Sequence, residues 1–413
     1  MNYSLGNMLS RGGALNPDGL SLDLAFAADK TLAARKGPTP TFTRASTATF
    51  VGSNGLIQSA AINAPRFDHD PVTLACKGLL IEEQRTNLCL RSEELNDGIW
   101  AKSSAIVTAP VVTANQVNSP SGALNADRIV FPAVIGAGAF SLVTQLFSQS
   151  AGTSYTASIY LRGLVGGEKV WWTWTPNGTT YVRKECILTT AWQRFNFTYT
   201  STAGNNFIQL GVDLRDASQS AQLAQTIFAW GAQLEAGSFP TSYIPTTTTA
   251  LTRSADVCSI TGANFTSFYN QSEGTFFGDA TPQAANQLVV VVGANTSAST
   301  ASHFIYKSNN LINAAGKRWT AQTVSTGAQT AIATGTDVAI SASKLSYAYK
   351  LNDFAFAYAG SIAGTDSSGT IPTPTAMRIG CRDDGLQING HIARIQYFKK
   401  RLPNAKLQSL TTA

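Results

Sequence analysis

Cysteine, charge and long apolar runs are all scarce in this chain, and each scarcity closes a class of explanation. The five cysteines, Cys76, Cys89, Cys186, Cys258 and Cys381, are far apart, odd in number and without a CxxC pair, so neither a zinc site nor a disulfide framework is indicated. Charged residues make up 13% of the 413 positions, fewer than in an ordinary soluble domain, and the net charge of +6 is spread thinly. The densest basic cluster, Lys399, Lys400, Arg401 and Lys406, is too small for the concentrated basic face that nucleic acid needs, so no nucleic-acid partner is expected. No apolar run approaches the roughly 20 residues of a membrane helix, and no membrane insertion is expected. The opening MNYSLGNMLSRGGALNPDG lacks the basic-then-apolar pattern of a secretory signal, which makes a cytoplasm the expected place of synthesis. Neither GxSxG, a Walker-type loop, a dinucleotide fingerprint nor HExxH occurs.

What is present is short alternating strands. Tyr155, Ala157, Ile159 and Leu161 alternate against Thr156, Ser158, Tyr160 and Arg162, and the stretches around Phe195–Tyr199 and Ile208–Leu214 repeat the pattern. No helical period lies between them, which predicts an antiparallel sandwich. In IFAWGAQLEAGSFPTSYIPTTTTALTR the same alternation places Phe228, Trp230, Ala232 and Leu234 on one face of a closing strand, before Pro240, Pro245 and Thr246 to Thr249 end the module. A second set of strands, including QLVVVV, DFAFAYAG and HIARIQYF, predicts a second sandwich, and Pro403 opens a short helix with Leu407 and Leu410 on one side. The fold class read from these patterns is all-β, two antiparallel sandwiches in series. The expected division is an anchoring arm over 1–40, a connector packed on the first sandwich over 41–95, the first sandwich over 96–245, a linker over 246–272, and the second sandwich with its helix over 273–413.

Two long motifs carry a resemblance. FTRASTATFVGSNGLIQSAAINAPRFDHDPVTLACKGLLIEEQRTNLCLRSEEL, and later WGAQLEAGSFPTSYIPTTTTALTRSADV, resemble a module of tailed-phage and prophage structural proteins, in which the intervening segment is similar to jelly-roll carbohydrate-binding modules. EGTFFGD through GHIARIQYFKKRLPNAKLQSL resembles the concanavalin A-like, or laminin G-like, sandwich. Together these stretches cover most of residues 41 to 410. The resemblance implies a non-enzymatic virion fibre or spike subunit on a particle surface, held to other virion proteins by its N-terminal arm and attaching to host surface polysaccharide. It implies no catalytic set and no required cofactor, and it implies a homo-oligomer, for which a trimer is compatible with the small-residue composition. A decoration or cement protein without glycan binding and a polysaccharide-depolymerising spike are the two alternatives.

Few side chains stand out against their bland readings. In RFDHDP an extended chain points Asp68 and Asp70 one way and His69 the other, so a shared ion is disfavoured; the acids are expected to accept backbone hydrogen bonds in a turn, with Arg66 or Arg85 as charge partner. Glu82 and Glu83 are adjacent and face opposite sides of a strand, so a glutamate paired with Arg85 is the expected reading rather than a glycosidase pair. In VWWTWTPNGTTY, Trp172 and Trp174 share a face that fills a core or interface or else forms a glycan platform. Trp171 faces the other way and is the better candidate for a saccharide, with Tyr160 and Trp192 as neighbours. Asp383 and Asp384 in GCRDDG are weak candidates for a structural calcium ion. His303 and His391 are read as packing or hydrogen-bonding residues.

Overall fold

The computed structural model describes residues 18–176, 180–202, 204–215, 220–283, 289–295, 301–308, 318–325, 328–333, 343–382 and 386–412. The fold is all-β, built from two antiparallel sandwiches. In the first, strands Val182–Ile187, Lys169–Thr175, Gly204–Asp213, Phe140–Gln149 and Ala101–Ala105 form one sheet in that order. Gln193–Thr200, Ser154–Gly163, Gln225–Ala236, Leu124–Phe131 and Val111–Asn118 form the facing sheet. The expected alternation fills the space between them: Trp172, Trp174, Val143 and Leu210 from one sheet meet Ile159, Leu161, Phe197 and Tyr199 from the other. Trp174 stacks on Tyr199 with ring centroids 4.4 Å apart, so Trp172 and Trp174 are core residues and form no platform.

The strand Gln225–Ala236 departs from simple alternation, and the cause is a bulge. Trp230 pairs with Tyr160 while Gln233 pairs with Ser158, so Gly231 and Ala232 together face one residue of the neighbouring strand. Gly231 takes φ +67°, the left-handed conformation such a bulge asks of its first residue. The extra residue shifts the phase: Ile227 and Ala229 join Ala232 and Leu234 in the core, while Trp230 turns outward under Tyr243 and against Tyr160. The expected shared face of Phe228, Trp230, Ala232 and Leu234 is therefore broken at Gly231.

The second sandwich draws strands from both sides of the first in sequence. Its larger sheet runs Ser361–Asp366, Asp353–Tyr358, Ser343–Lys350, Glu273–Pro282, Gly390–Phe398, Cys76–Ile81 and Phe67–His69, with Leu20–Leu24 also paired to Gly390–Phe398. The other sheet runs Thr41–Thr43, Val257–Thr261, Ala376–Ile379, Val289–Asn295, Ala301–Ser308, Arg318–Ser325 and Ala328–Ala333. The helix Asn404–Thr411 follows Pro403 and packs Leu407 and Leu410 against Phe277 and Phe398, as its spacing predicts.

This pairing redraws the expected division of the chain. The described part of the arm is a strand of the second sandwich, with Leu22 opposite Tyr397 and Leu24 opposite Ile395. Three of the connector's strands, Thr41–Thr43, Phe67–His69 and Cys76–Ile81, also belong to that sandwich. So does the expected linker, through Val257–Thr261 and the helix Gly262–Phe268, whose Phe265 and Phe268 are buried in its core. The first sandwich is thus an insertion within the second. Its two connections run side by side, with the Arg91 amide donating to the Thr247 carbonyl at 2.7 Å.

The proline and threonine stretch is a strap across this junction. Its prolines cannot join a ladder, so the remaining polar groups find other partners. The Ile244 amide donates to Gln233 Oε1 at 2.7 Å, the Ile244 carbonyl accepts from Asn87 at 2.8 Å, and the Thr246 amide donates to Ser92 Oγ at 2.8 Å. At the head of the strap Gly237, with φ +137°, lies against Arg85, whose guanidinium pairs with Glu83 at 2.5 Å and sits 4.9 Å from the Phe239 ring centroid. A Cβ on Gly237 would stand 1.4 Å from Arg85 Nη1. Gly237→Ala is expected to destabilise the protein by roughly 2 kcal/mol or more, since it combines backbone strain with expulsion of a packed guanidinium. Urea unfolding checks this, and an unchanged midpoint would mean that Arg85 leaves at no cost.

Candidate functional site

Between the two sandwiches lies a cleft of about 490 Å³. One wall comes from the first sandwich: Trp192 just before and Arg194 within Gln193–Thr200, Tyr160 from Ser154–Gly163, and the strap residues Thr241 to Tyr243. The floor is set by the second sandwich, where strand pairing brings Asp68, Lys77, Leu80 and His391 together. The hairpin of Ala48–Val51 and Ile57–Ala60 and the turn at Pro71 and Val72 make the lip. Val72 is 87% exposed and stands as an apolar edge to the opening.

The aromatic wall is braced from behind. Tyr160 and Trp192 pack on Trp230 and Tyr243, and Tyr160 meets Trp230 edge-on at 5.6 Å. The Trp192 indole N–H donates to the Asn118 carbonyl at 2.9 Å, which fixes the ring plane while leaving the side chain half-buried. Arg194 lies over the Tyr160 ring at 5.3 Å and donates to the Thr241 carbonyl at 2.8 Å and to Ser158 Oγ at 3.0 Å.

On the floor, Asp68 Oδ2 takes His391 Nε2 at 2.7 Å and Lys77 Nζ at 2.9 Å, while Oδ1 accepts the Val51 amide at 2.7 Å. Burial opposes charge on Asp68, but the bond and charge of His391 and then those of Lys77 outweigh it, so its carboxyl sits below the usual range. Arg66 and Arg85, the expected partners of Asp68, are engaged elsewhere, because the strand carrying Asp68 turns its side chain toward His391 and Lys77. Asp70 accepts the amides of Val72 and Thr73 and shapes the turn, as expected of an acid before Pro71. His69 turns away, with Nδ1 3.2 Å from the Val51 carbonyl oxygen.

Behind the cleft lies a buried ionic cluster. Arg66 donates to Glu82 at 2.8 Å and to Asp256, Arg253 donates to Glu82 at 2.6 Å, and Arg44 reaches Asp256 at 3.2 Å. Ser242 of the strap closes the cluster, its amide donating to Glu82 Oε1 and its hydroxyl to Oε2, both at 2.7 Å. Burial penalises the Glu82 charge, but Arg253 and Arg66, with the Ser242 bonds, hold the carboxyl well below the ordinary range. The two motifs that carried the sequence resemblance are the two sides of this cluster: Arg44, Arg66 and Glu82 come from one, and Ser242, Arg253 and Asp256 from the other.

Of the three saccharide candidates, Tyr160 and Trp192 meet in the cleft. Trp171 does not join them, because it lies on the opposite sheet of the first sandwich, beside Arg183 at 5.8 Å. Asp383 and Asp384, the calcium candidates, lie outside the described residues. Sequence reasoning missed Lys77 and Arg194, and it read His391 and Asp68 apart; only strand pairing joins positions 323 residues distant. His303 is buried, with Nδ1 2.7 Å from Thr323 Oγ1, a hydrogen-bonding role as expected.

The fold and site define a two-sandwich, all-β chain with a half-aromatic, half-ionic cleft at the junction. No protein-family model matches the chain, and no curated protein matches it. Among solved structures it is similar to the CBM40 of the Ruminococcus gnavus IT-sialidase bound to α2,3-sialyllactose, at 12% identity and a TM-score of 0.29, over 34% of this chain and 84% of that one. It is also similar to the Trypanosoma rangeli sialidase, at 9% identity and a TM-score of 0.28, over 69% of this chain and 60% of that one. The mouse laminin α1 domains LG4-5 match at 10% identity and a TM-score of 0.17, over 70% and 88% of the two chains. At these scores the likenesses carry no ligand or activity across.

Proposed function

We propose that this chain is a glycan-binding structural subunit of a tailed-phage or phage-like particle, attaching to host surface polysaccharide through the junction cleft. The observation that carries the binding role is the pairing of a braced, half-buried Trp192–Tyr160 wall with a floor of fixed polar groups. Sugar rings offer apolar C–H faces to aromatic rings and polar edges to hydrogen-bonding groups, and the cleft offers both at one place. The particle role is supported by the two sequence motifs and their family resemblance.

Binding without cleavage is favoured by the state of the cleft's carboxyls. Hydrolysis by a carboxylate pair needs one acid that keeps its proton near neutrality. Asp68 and Glu82 are both held below the ordinary range by cationic partners, so neither supplies that proton. The test is retention of the purified chain on host cells and on their extracted polysaccharide, with polymer length measured in parallel. Retention with unchanged length supports the proposal. Shortened polymer would replace it with a depolymerase, and no retention with a decoration protein. Trp192→Ala is expected to weaken retention about tenfold or more while lowering stability by about 1–2 kcal/mol, the share of a half-buried ring and its hydrogen bond to Asn118, so retention is compared well below the unfolding transition; equal retention would remove the cleft from the binding role.

A further inference from the structure

We propose that the saccharide taken by this cleft is an acidic one, bearing a carboxylate or sulfate that pairs with Lys77; this rests on the glycan-binding reading above. A carboxylate is a ready acceptor for the hydroxyls of a neutral sugar, and here both cleft carboxylates are largely taken by the protein's own donors. Asp68 receives Val51, His391 and Lys77, and Glu82 receives Arg66, Arg253 and both donors of Ser242. The cluster behind the wall presents no excess charge either. Arg44, Arg66 and Arg253 are matched by Glu82, Asp256 and Glu235, the last close enough to act on Arg253.

What remains available is donors and positive charge. Lys77 spends one N–H on Asp68, and its side chain is 38% exposed, so the ammonium faces the opening with donors to spare. Arg194 adds a second cation to the wall. Against these two the described lining residues set the charge of Asp68, since that of Glu82 is matched within the cluster. A cleft whose two carboxylates are largely occupied by the protein's own donors and which has a cation at its floor favours an anionic, acceptor-rich ligand. Asp68 then acts as a positioning residue that holds Lys77 and His391 in place.

The experiment prints acidic oligosaccharides beside their carboxyl-reduced forms, with sulfated oligosaccharides as a third set, and probes them with the full-length protein, Trp192→Ala, Lys77→Met and Lys77→Arg. The expected result is binding at least about tenfold stronger to each acidic member that binds than to its reduced partner, weakening as salt rises. Lys77→Met should erase that preference and Lys77→Arg should keep it. Recovery of binding on sulfated members would mark a general anion site, and failure of recovery a carboxylate site; either supports the proposal. Equal, Trp192-dependent binding to acidic and reduced members would overturn the acidic assignment while leaving the glycan-binding reading intact. No Trp192-dependent binding to any member would overturn both.

Discussion

A fragment begun at Glu273 and carried through the C-terminus should fail to fold, although it contains every strand that the sequence pattern assigns to the second sandwich. Among the described residues, ten of the 26 buried ones in that sandwich's main core cluster precede Glu273, from Leu22 and Leu24 through Phe42, Leu79 and Ile81 to Phe265 and Phe268. Burying one large apolar side chain contributes about 1.5–3 kcal/mol, whereas a whole domain is stable by only about 5–15 kcal/mol. The omitted side chains therefore outweigh the whole stability of the fold. The fragment would also bare one side of Gly390–Phe398, which Leu20–Leu24 and Cys76–Ile81 cover in the intact chain, leaving an open edge for aggregation. A fragment spanning 86–248 is expected to fold, because the strands of both its five-stranded sheets lie between Ala101 and Ala236. Circular dichroism with thermal melting checks both. A cooperative transition in the 273–413 fragment would show that the N-terminal strands are accessories to a self-sufficient sandwich.

The contrast between these fragments marks what the sequence could show. Strands and their faces follow from alternation, which is local, and Trp172, Trp174, Leu407 and Leu410 fall where that pattern puts them. Which strand pairs with which is decided by contacts hundreds of residues apart, such as Leu22 with Tyr397, and no local period carries them. The candidate site was half-legible for the same reason. Alternation separated Trp171 from Trp172, but it says nothing about which sheet a strand joins, so it could not separate Trp171 from Tyr160 and Trp192. The bulge at Gly231 was hidden because a glycine in a strand signals several conformations, and only the register with Ser154–Gly163 shows which one is used. A different kind of information lay in the two long motifs. The local reading offered Arg66 or Arg85 to Asp68 and Arg85 to a neighbouring glutamate, yet Arg66, Glu82, Arg253 and Asp256 are buried as one cluster, and no local pattern names partners that lie in the other motif.

Arg66→Ala is expected to cost about 3–5 kcal/mol, the effect of removing one partner from a buried ionic cluster and leaving the others uncompensated. Arg66 is fully buried and bonds Glu82, Asp256, the Thr49 carbonyl and Ser242, so no water-exposed rotamer offsets its loss. Its acid response should change as well. Glu82 is depressed in the folded state, so its ionisation contributes stability above the unfolded carboxylate value of about 4.3, and that contribution is lost as pH falls below it. His303 acts earlier. Burial pushes its imidazole down to about 3, so the unfolded chain binds a proton from about pH 6.5 downward while the folded chain does not, and stability falls across that window. The native protein should therefore weaken in two stages, first between about pH 6.5 and 3 through His303 and then more steeply below about pH 4.3 as Glu82 contributes. In Arg66→Ala the first stage should persist and the second should flatten, because a Glu82 with one guanidinium fewer is depressed less. Urea midpoints measured from pH 7 to pH 3 on both proteins decide the matter. Parallel curves would mean that Arg253 and Ser242 hold Glu82 unaided, and that Arg66 serves packing rather than the charge balance of the junction.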